Sequence, residues 1–264
     1  MTRVALSIAG SDPSGGAGVQ VDLKTFQLHG VYGEAVISLL TAQNSLGVRE
    51  VEPVSSAFIQ RQLDALLCDM PPHAIKTGAL PSAEAVYGIA QRLRGCGAAV
   101  VVDPVLRPTR GVALATDGLA GALVRHLLPL ASLVTPNTEE AGVLTGGEVI
   151  DIPGAIRAAR GLVAMGAGGA LVKGGHLSGE PIDVLLVGDG EPVLLHGVRV
   201  DTPHTHGTGC VYSAAIAARL ARGQDLVAAV RSAKAWLQRV VAGPPLGLGR
   251  GNGPLNLWAG DEVC

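Results

Sequence analysis

Short apolar runs recur along the chain, and between them lie longer stretches with helical spacing. VALSIA (4–9), AVISLLTA (35–42), HAIKTG (73–78), AAVVVDP (98–104), SLVTP (132–136) and ALVKGG (170–175) read as strands. VLLVGD and EPVLLHGVRV read as a hairpin turning at Gly188 to Gly190. Helical stretches fall at 16–29, 56–68, 82–94, 117–128, 138–145, 154–165, 208–222 and 225–241. The strands are apolar at nearly every position rather than at every second one, the pattern of strands covered on both faces. Their alternation with helices predicts an α/β fold with a parallel sheet between helical layers. No repeat, low-complexity segment or linker interrupts it, so residues 1–264 read as a single domain. The Pro/Gly-rich tail from Gly243 to Cys264 reads as an ordered loop or a loose end.

Composition narrows the function. The chain has 264 residues, 48% of them hydrophobic, enough for one large core. Its 20 Lys+Arg and 22 Asp+Glu are scattered and sum to a net charge of -2, which argues against nucleic acid or an anionic membrane and for small molecules. The N-terminal apolar run is broken by Ser7 and too short to span a membrane. Cys68, Cys96, Cys210 and Cys264 are far apart and form no CxxC pair, as expected of a reducing, cytoplasmic setting.

Candidate chemistry gathers at the strand ends. AGSDPSGGAG, TAQN, DPVLRPTRG, TPNTEE, VKGGH and HTHGTGC each follow a strand or precede a helix. In open sheets of this type ligands bind beyond the carboxyl ends of the strands. Any one cluster taken alone serves equally as a turn with a helix cap. There is no GxxxxGK[ST], so a P-loop is out, and GSDPSGGAG lacks GxGxxG spacing, so nicotinamide or flavin chemistry drops well down. GTGC opens a helix, and the amides of Gly207, Thr208, Gly209 and Cys210 are expected to point outward as an anion site. The same field is expected to lower the Cys210 pKa and supply a thiolate base. The alternative is a small hydrophobe filling the helix–sheet seam. Asn137 and Glu140, spaced i, i+3, suit a helix start. Glu140 and Asp103 are candidate carboxylates for Mg2+. Lys173, one of four lysines, suits a phosphate, or else merely ends its strand.

AGSDPSGGAGVQVDLKTFQLHGVYGEAVISLLTAQN, DPV, TPNTEEAGVLTG, VKGGH and THGTGC, in this order and spacing, resemble the hydroxymethylpyrimidine/phosphomethylpyrimidine kinases of the ribokinase superfamily over roughly residues 4–242. The resemblance implies a ribokinase-like three-layer α/β/α fold with a mostly parallel sheet, and a homodimer. It implies transfer of phosphoryl from ATP with Mg2+ to 4-amino-5-hydroxymethyl-2-methylpyrimidine and then to its monophosphate, in thiamine biosynthesis. Carried over, it puts Gly10, Asp22 and Gln43 in the substrate pocket. The Gln43 amide offers a donor and an acceptor side by side, matching an aminopyrimidine edge. Asn137, Glu140, Lys173, Gly174, Gly175, His176, Thr208 and Gly209 fall on the nucleotide side, with Asp183 a weaker candidate. Cys210 becomes the general base where many related sugar kinases have aspartate.

Two departures bear on specificity: Ala79 in IKTGAL opens one pocket wall, and Arg107 and Arg110 lie near a strand edge, as phosphate ligands or solvated. Two other readings stay open. One is a pyridoxine, pyridoxal or pyridoxamine kinase. The other is a nucleotide- or pyrimidine-binding protein without catalysis, which would have no use for a base. His204 and His206 lack zinc-type spacing and read as loop-shaping; Trp236 reads as core or interface.

Overall fold

The computed structural model describes residues 2–106 and 118–260; Arg107, Arg110 and Cys264 lie outside them. Nine strands make one sheet: β1 (Val4–Ser11), β2 (Tyr32–Asn44), β3 (Gly47–Pro53), β4 (Ala74–Thr77), β5 (Ala99–Val102), β6 (Leu133–Val134), β7 (Gly169–Val172), β8 (Asp183–Val187) and β9 (Val193–Leu195). Their order is β3-β2-β1-β4-β5-β6-β7-β8-β9. Pairing is parallel from β2 across to β7, and antiparallel for β2–β3, β7–β8 and β8–β9.

Helices cover both faces. They are α1 (Gly18–Leu28), α2 (Ser56–Asp69), α3 (Ala83–Leu93), α4 (Leu119–Ala122), α5 (Thr138–Thr145), α6 (Ile152–Ala164), α7 (Thr208–Ala221) and α8 (Leu226–Ala242). Ile59 and Leu63 of α2, Val86 and Ile89 of α3 and Leu162 of α6 bury one face with Ile75, Val102 and Val134. Phe26 of α1, Val211 and Ala214 of α7 and Trp236 of α8 bury the other with Ala74, Val101 and Leu133. Neighbours such as Val101 and Val102 thus point into different cores, which explains why these strands carry no polar alternation. Trp236 belongs to this core, edge-on to His29 with ring centroids 4.6 Å apart.

Two features depart from the sequence pattern, and the two readings of the tail are decided. β3 carries no expected strand: Val48 and Val51 alternate poorly with exposed Arg49, Glu50 and Glu52, and the register shifts opposite them at Ala42/Gln43. An edge strand exposed on one side has little apolar signal to offer. The helix expected at 117–128 is α-helical only over Leu119–Ala122; Leu123–Leu127 widens into a π-turn and Leu128–Leu130 tightens into a 3-10 turn around Pro129, which has no amide hydrogen to continue an α-helix. Over the described residues the tail packs onto the fold as an ordered loop, with Leu255 and Leu257 buried.

Helix α7 positions the site. Ala214, Ala215, Ala217 and Ala218 are wholly buried, and their small side chains let α7 lie between α1 and α8 and close against β1, β4 and β5. Its amino end meets the carboxyl edge of the sheet near β1 and β4, where the strand order changes direction. Crevices form at such switch points.

Candidate active site

A cavity of about 440 Å³ opens at this edge, lined by residues from every cluster singled out in the sequence. Gly207 caps α7 with φ +78°, and a methyl there would collide with Gly16 O, so the turn demands glycine. The amides of Gly207, Gly209 and Cys210 have no acceptor among the described residues and face the helix-dipole end. Thr208 corrects the expectation: its N–H and its hydroxyl both go to Thr205 O, at 3.2 and 2.8 Å, so it shapes the turn. A side chain on Gly209 would come within 3.2 Å of Lys173 Nζ. Glycine there leaves room for the ammonium beside the free amides.

Cys210 lines the cavity, with its thiol beside the Gly18 backbone. The thiol does not follow the sequence expectation. Burial pushes its pKa above the ordinary value, and Lys76, the strongest opposing influence, does not reverse this. Desolvation of a thiolate outweighs one neighbouring charge and a helix end.

Lys173 Nζ lies 3.0 Å from Asp103 Oδ1. Burial works against its charge, but Asp103 and then Glu140 hold its pKa above the lysine range. Asp103 also accepts from Thr135 Oγ1 at 3.2 Å and Ser213 Oγ at 3.1 Å; Lys173 and Lys76 keep its carboxyl low despite burial. Asn137 and Glu140 form a reciprocal cap on α5. Asn137 Oδ1 accepts from the Glu140 amide and Glu140 Oε2 from the Asn137 amide, each at 2.8 Å. Burial nevertheless raises the Glu140 pKa to about 7, against Lys173. Gly175 and exposed His176 lie on the rim, while Gly174 donates its amide to Asp183 Oδ1 at 2.9 Å. Asp183 Oδ2 accepts from Lys234 Nζ at 2.6 Å, so both its oxygens serve the loop and α8 rather than a ligand.

On the opposite side Gly10, Leu39, Gln43 and Ala79 line the cavity. Asp22 does not: it is fully buried, and its Oδ2 accepts from Ser7 Oγ at 2.6 Å and Lys76 Nζ at 2.7 Å. The expected substrate contact at Asp22 is therefore a support for Lys76. Lys76 itself, along with Asp12 and Lys234, was not singled out in the sequence, and His206 was read only as loop-shaping, yet all four line the cavity. The signal for Lys76 was present, since a lysine inside the otherwise apolar AIKT needs a buried partner. Burial opposes its charge, and Asp22, then Cys210 and Asp103, outweigh it.

For a magnesium ion the donor set fits. Asp103 and Glu140 are two carboxylates beside Lys173, and no group of three or more His, Cys, Asp and Glu among the described residues forms a closed metal cage. Mg2+ suits such a site because it keeps waters and shares its shell with phosphate oxygens. No helix among the described residues is long and apolar enough to cross a membrane.

The chain is similar to known proteins. A family model described as phosphomethylpyrimidine kinase matches residues 12–256. The hydroxymethylpyrimidine/phosphomethylpyrimidine kinase of Rhizobium meliloti (strain 1021) is 47% identical over 259 residues, 97% of either chain. The crystal structure of phosphomethylpyrimidine kinase from Clostridium difficile 630 is 36% identical and superposes with a TM-score of 0.79 over 89% of this chain and 98% of its own. Pyridoxal kinase from Staphylococcus aureus in complex with AMP-PCP and pyridoxal is 31% identical, with a TM-score of 0.90 over 100% of this chain and 96% of its own. The fold is therefore ribokinase-like, and with a family match running from the loop at Asp12 through the anion turn and beyond, the chain belongs to the phosphomethylpyrimidine kinase family and is a kinase of thiamine biosynthesis.

Proposed function

We propose that this kinase transfers the γ-phosphoryl of ATP first to the hydroxymethyl oxygen of 4-amino-5-hydroxymethyl-2-methylpyrimidine and then to the resulting monophosphate, with Cys210 as the base of the first step. One observation carries this reading: a cavity-lining thiol, free amides at a helix start and the Lys173 ammonium converge on one point. The acceptor ring lies on the Gln43 side against Gly10. The nucleotide lies along Asn137, Lys173, Gly175 and His176. Amides of Gly207, Gly209 and Cys210, with Lys173, neutralise the equatorial oxygens of the migrating group, which is most of what phosphoryl transfer asks of a protein. Cys210 takes the alcohol proton as the acceptor oxygen bonds to phosphorus and ADP leaves. Mg2+ would be held by Asp103 and Glu140, largely through its waters because Asp103 already has three protein partners, and when bound it supplies charge neutralisation at the phosphates. A homodimer in the cytoplasm completes the reading.

The base has work only where the acceptor is an alcohol, because a phosphate monoester is already anionic at pH 7. Cys210→Ala keeps the backbone amides. Separate assays of the two steps should show the first slowed by roughly 10²-fold or more, and the second far less. Equal losses would remove the base assignment. A second reading, phosphorylation of a pyridoxal-type ring, is favoured by the small Ala79 in the acceptor wall and by the S. aureus likeness.

A further inference from the structure

His206 stands where the substrate loop, the anion turn and Gln43 meet. Its Nε2 lies 2.8 Å from Asp12 Oδ2 and 3.2 Å from Gln43 Nε2. Asp12 is 2% exposed, and its carboxylate is a hub. Oδ1 accepts from the Ser14 amide at 2.9 Å and the Ser14 hydroxyl at 2.7 Å; Oδ2 accepts from the amides of Gly16 and Ala17 at 3.2 and 2.9 Å. One carboxylate therefore sets the course of residues 12–17, and His206 ties that loop to the anion turn. The next residue along, Gly18, lines the same cavity as Cys210. Loop and turn also meet backbone to backbone at Gly16 and Gly207.

We propose that Asp12, acting through His206, is a positioning pair that holds Gln43 against the acceptor ring. A carboxylate at one imidazole nitrogen fixes where the ring proton sits. With its proton committed to Asp12, Nε2 has no lone pair for a Gln43 N–H, so the 3.2 Å contact packs the Gln43 amide in place and leaves both its N–H bonds for a ligand, while Thr41 Oγ1 lies 3.3 Å from its Oε1. An amide held at that position and with its donors free matches the ring nitrogen of an aminopyrimidine edge, so the pair contributes ring selection as well as geometry.

This inference rests on the reading of the Gln43 side as the acceptor pocket, and the experiment separates the two. His206→Leu removes the link; His206→Gln keeps an N–H donor able to reach Asp12. Asp12→Asn keeps one of the two acceptor oxygens, puts an NH2 donor in place of the other and removes the charge, so its Tm is read beside its kinetics. Steady-state kinetics would vary hydroxymethylpyrimidine and ATP separately, with Tm measured for each variant. His206→Leu and Asp12→Asn should raise KM for the pyrimidine by roughly tenfold or more, the scale of a charge-assisted hydrogen bond, and leave KM for ATP within about twofold. His206→Gln should restore most of the loss. The ratio of kcat/KM for hydroxymethylpyrimidine over pyridoxal should fall in His206→Leu and recover in His206→Gln. An unchanged pyrimidine KM, an equal rise in both KM values, or failure of His206→Gln to recover at wild-type Tm would overturn the proposal. If Gln43→Ala also leaves the pyrimidine KM untouched, the pocket reading itself fails; if Gln43→Ala raises it and His206→Leu does not, only the positioning pair fails.

Discussion

At the scale of single residues, Cys210 shows two effects in competition. A helix start and a lysine both favour a thiolate, yet burial wins and raises the pKa. A base whose proton is hard to remove at rest has a visible consequence. The first transfer should gain rate with pH and keep gaining past the ordinary thiol value of 9.0, because the thiolate fraction is still growing there. The second transfer should level off above about pH 7, once its phosphate acceptor has lost its second proton near pH 6. Taking the ratio of the two rates at each pH cancels effects on ATP common to both steps. A ratio that stays flat from pH 7 to 10 would remove Cys210 from the proton path.

At the scale of elements, the start of α5 carries two jobs on the same side chains. Asn137 and Glu140 cap the helix reciprocally, and Glu140 also faces the cavity. The jobs separate by substitution. Asn137→Ala should cost about 1 kcal/mol of stability through the lost cap. Glu140→Gln keeps an oxygen for the Asn137 amide, so its Tm should stay near wild type while the Mg2+ concentration for half-maximal activity rises severalfold. A Tm loss in Glu140→Gln with unchanged Mg2+ dependence would reduce Glu140 to a cap. The sequence announced this cap through its i, i+3 spacing, and it announced the interior strands through runs apolar on both faces. It was silent where the signal is tertiary. β3 is an exposed edge with charge on most positions, and Asp22 and Asp183 turned from ligands into supports because Lys76 and Lys234, 54 and 51 residues away, reach them in the fold. Thr208 was misread for a local reason, since its donors return to Thr205 three residues earlier.

For the whole molecule, three buried titratable groups weigh on how stability changes with pH. Glu34 on β2 is 5% exposed, neither carboxylate oxygen has a partner, and burial with the nearby Asp69 lifts its pKa to about 7. Glu140 is lifted to about 7 as well, while burial beside Arg219 and Arg222 drops His29 to about 3. A raised carboxyl binds its proton more tightly folded than unfolded, so its stabilising contribution is whole below pH 4.5 and is lost as pH rises through 7. A depressed imidazole acts oppositely: its contribution is present above pH 6.5 and is lost as pH falls toward 3. Between pH 4.5 and 6.5 two carboxyls therefore oppose one imidazole, and stability in the absence of nucleotide and Mg2+ should fall as pH rises. Glu34→Gln removes one of the opposing carboxyls. Its Tm should fall less steeply than wild type across that window, and above pH 7, where wild type carries an unpaired buried carboxylate, the variant should gain on wild type relative to their difference at pH 4.5. Parallel Tm curves for the two proteins from pH 4.5 to 8 would show that Glu34 ionises at its ordinary value and that the β2 face admits water.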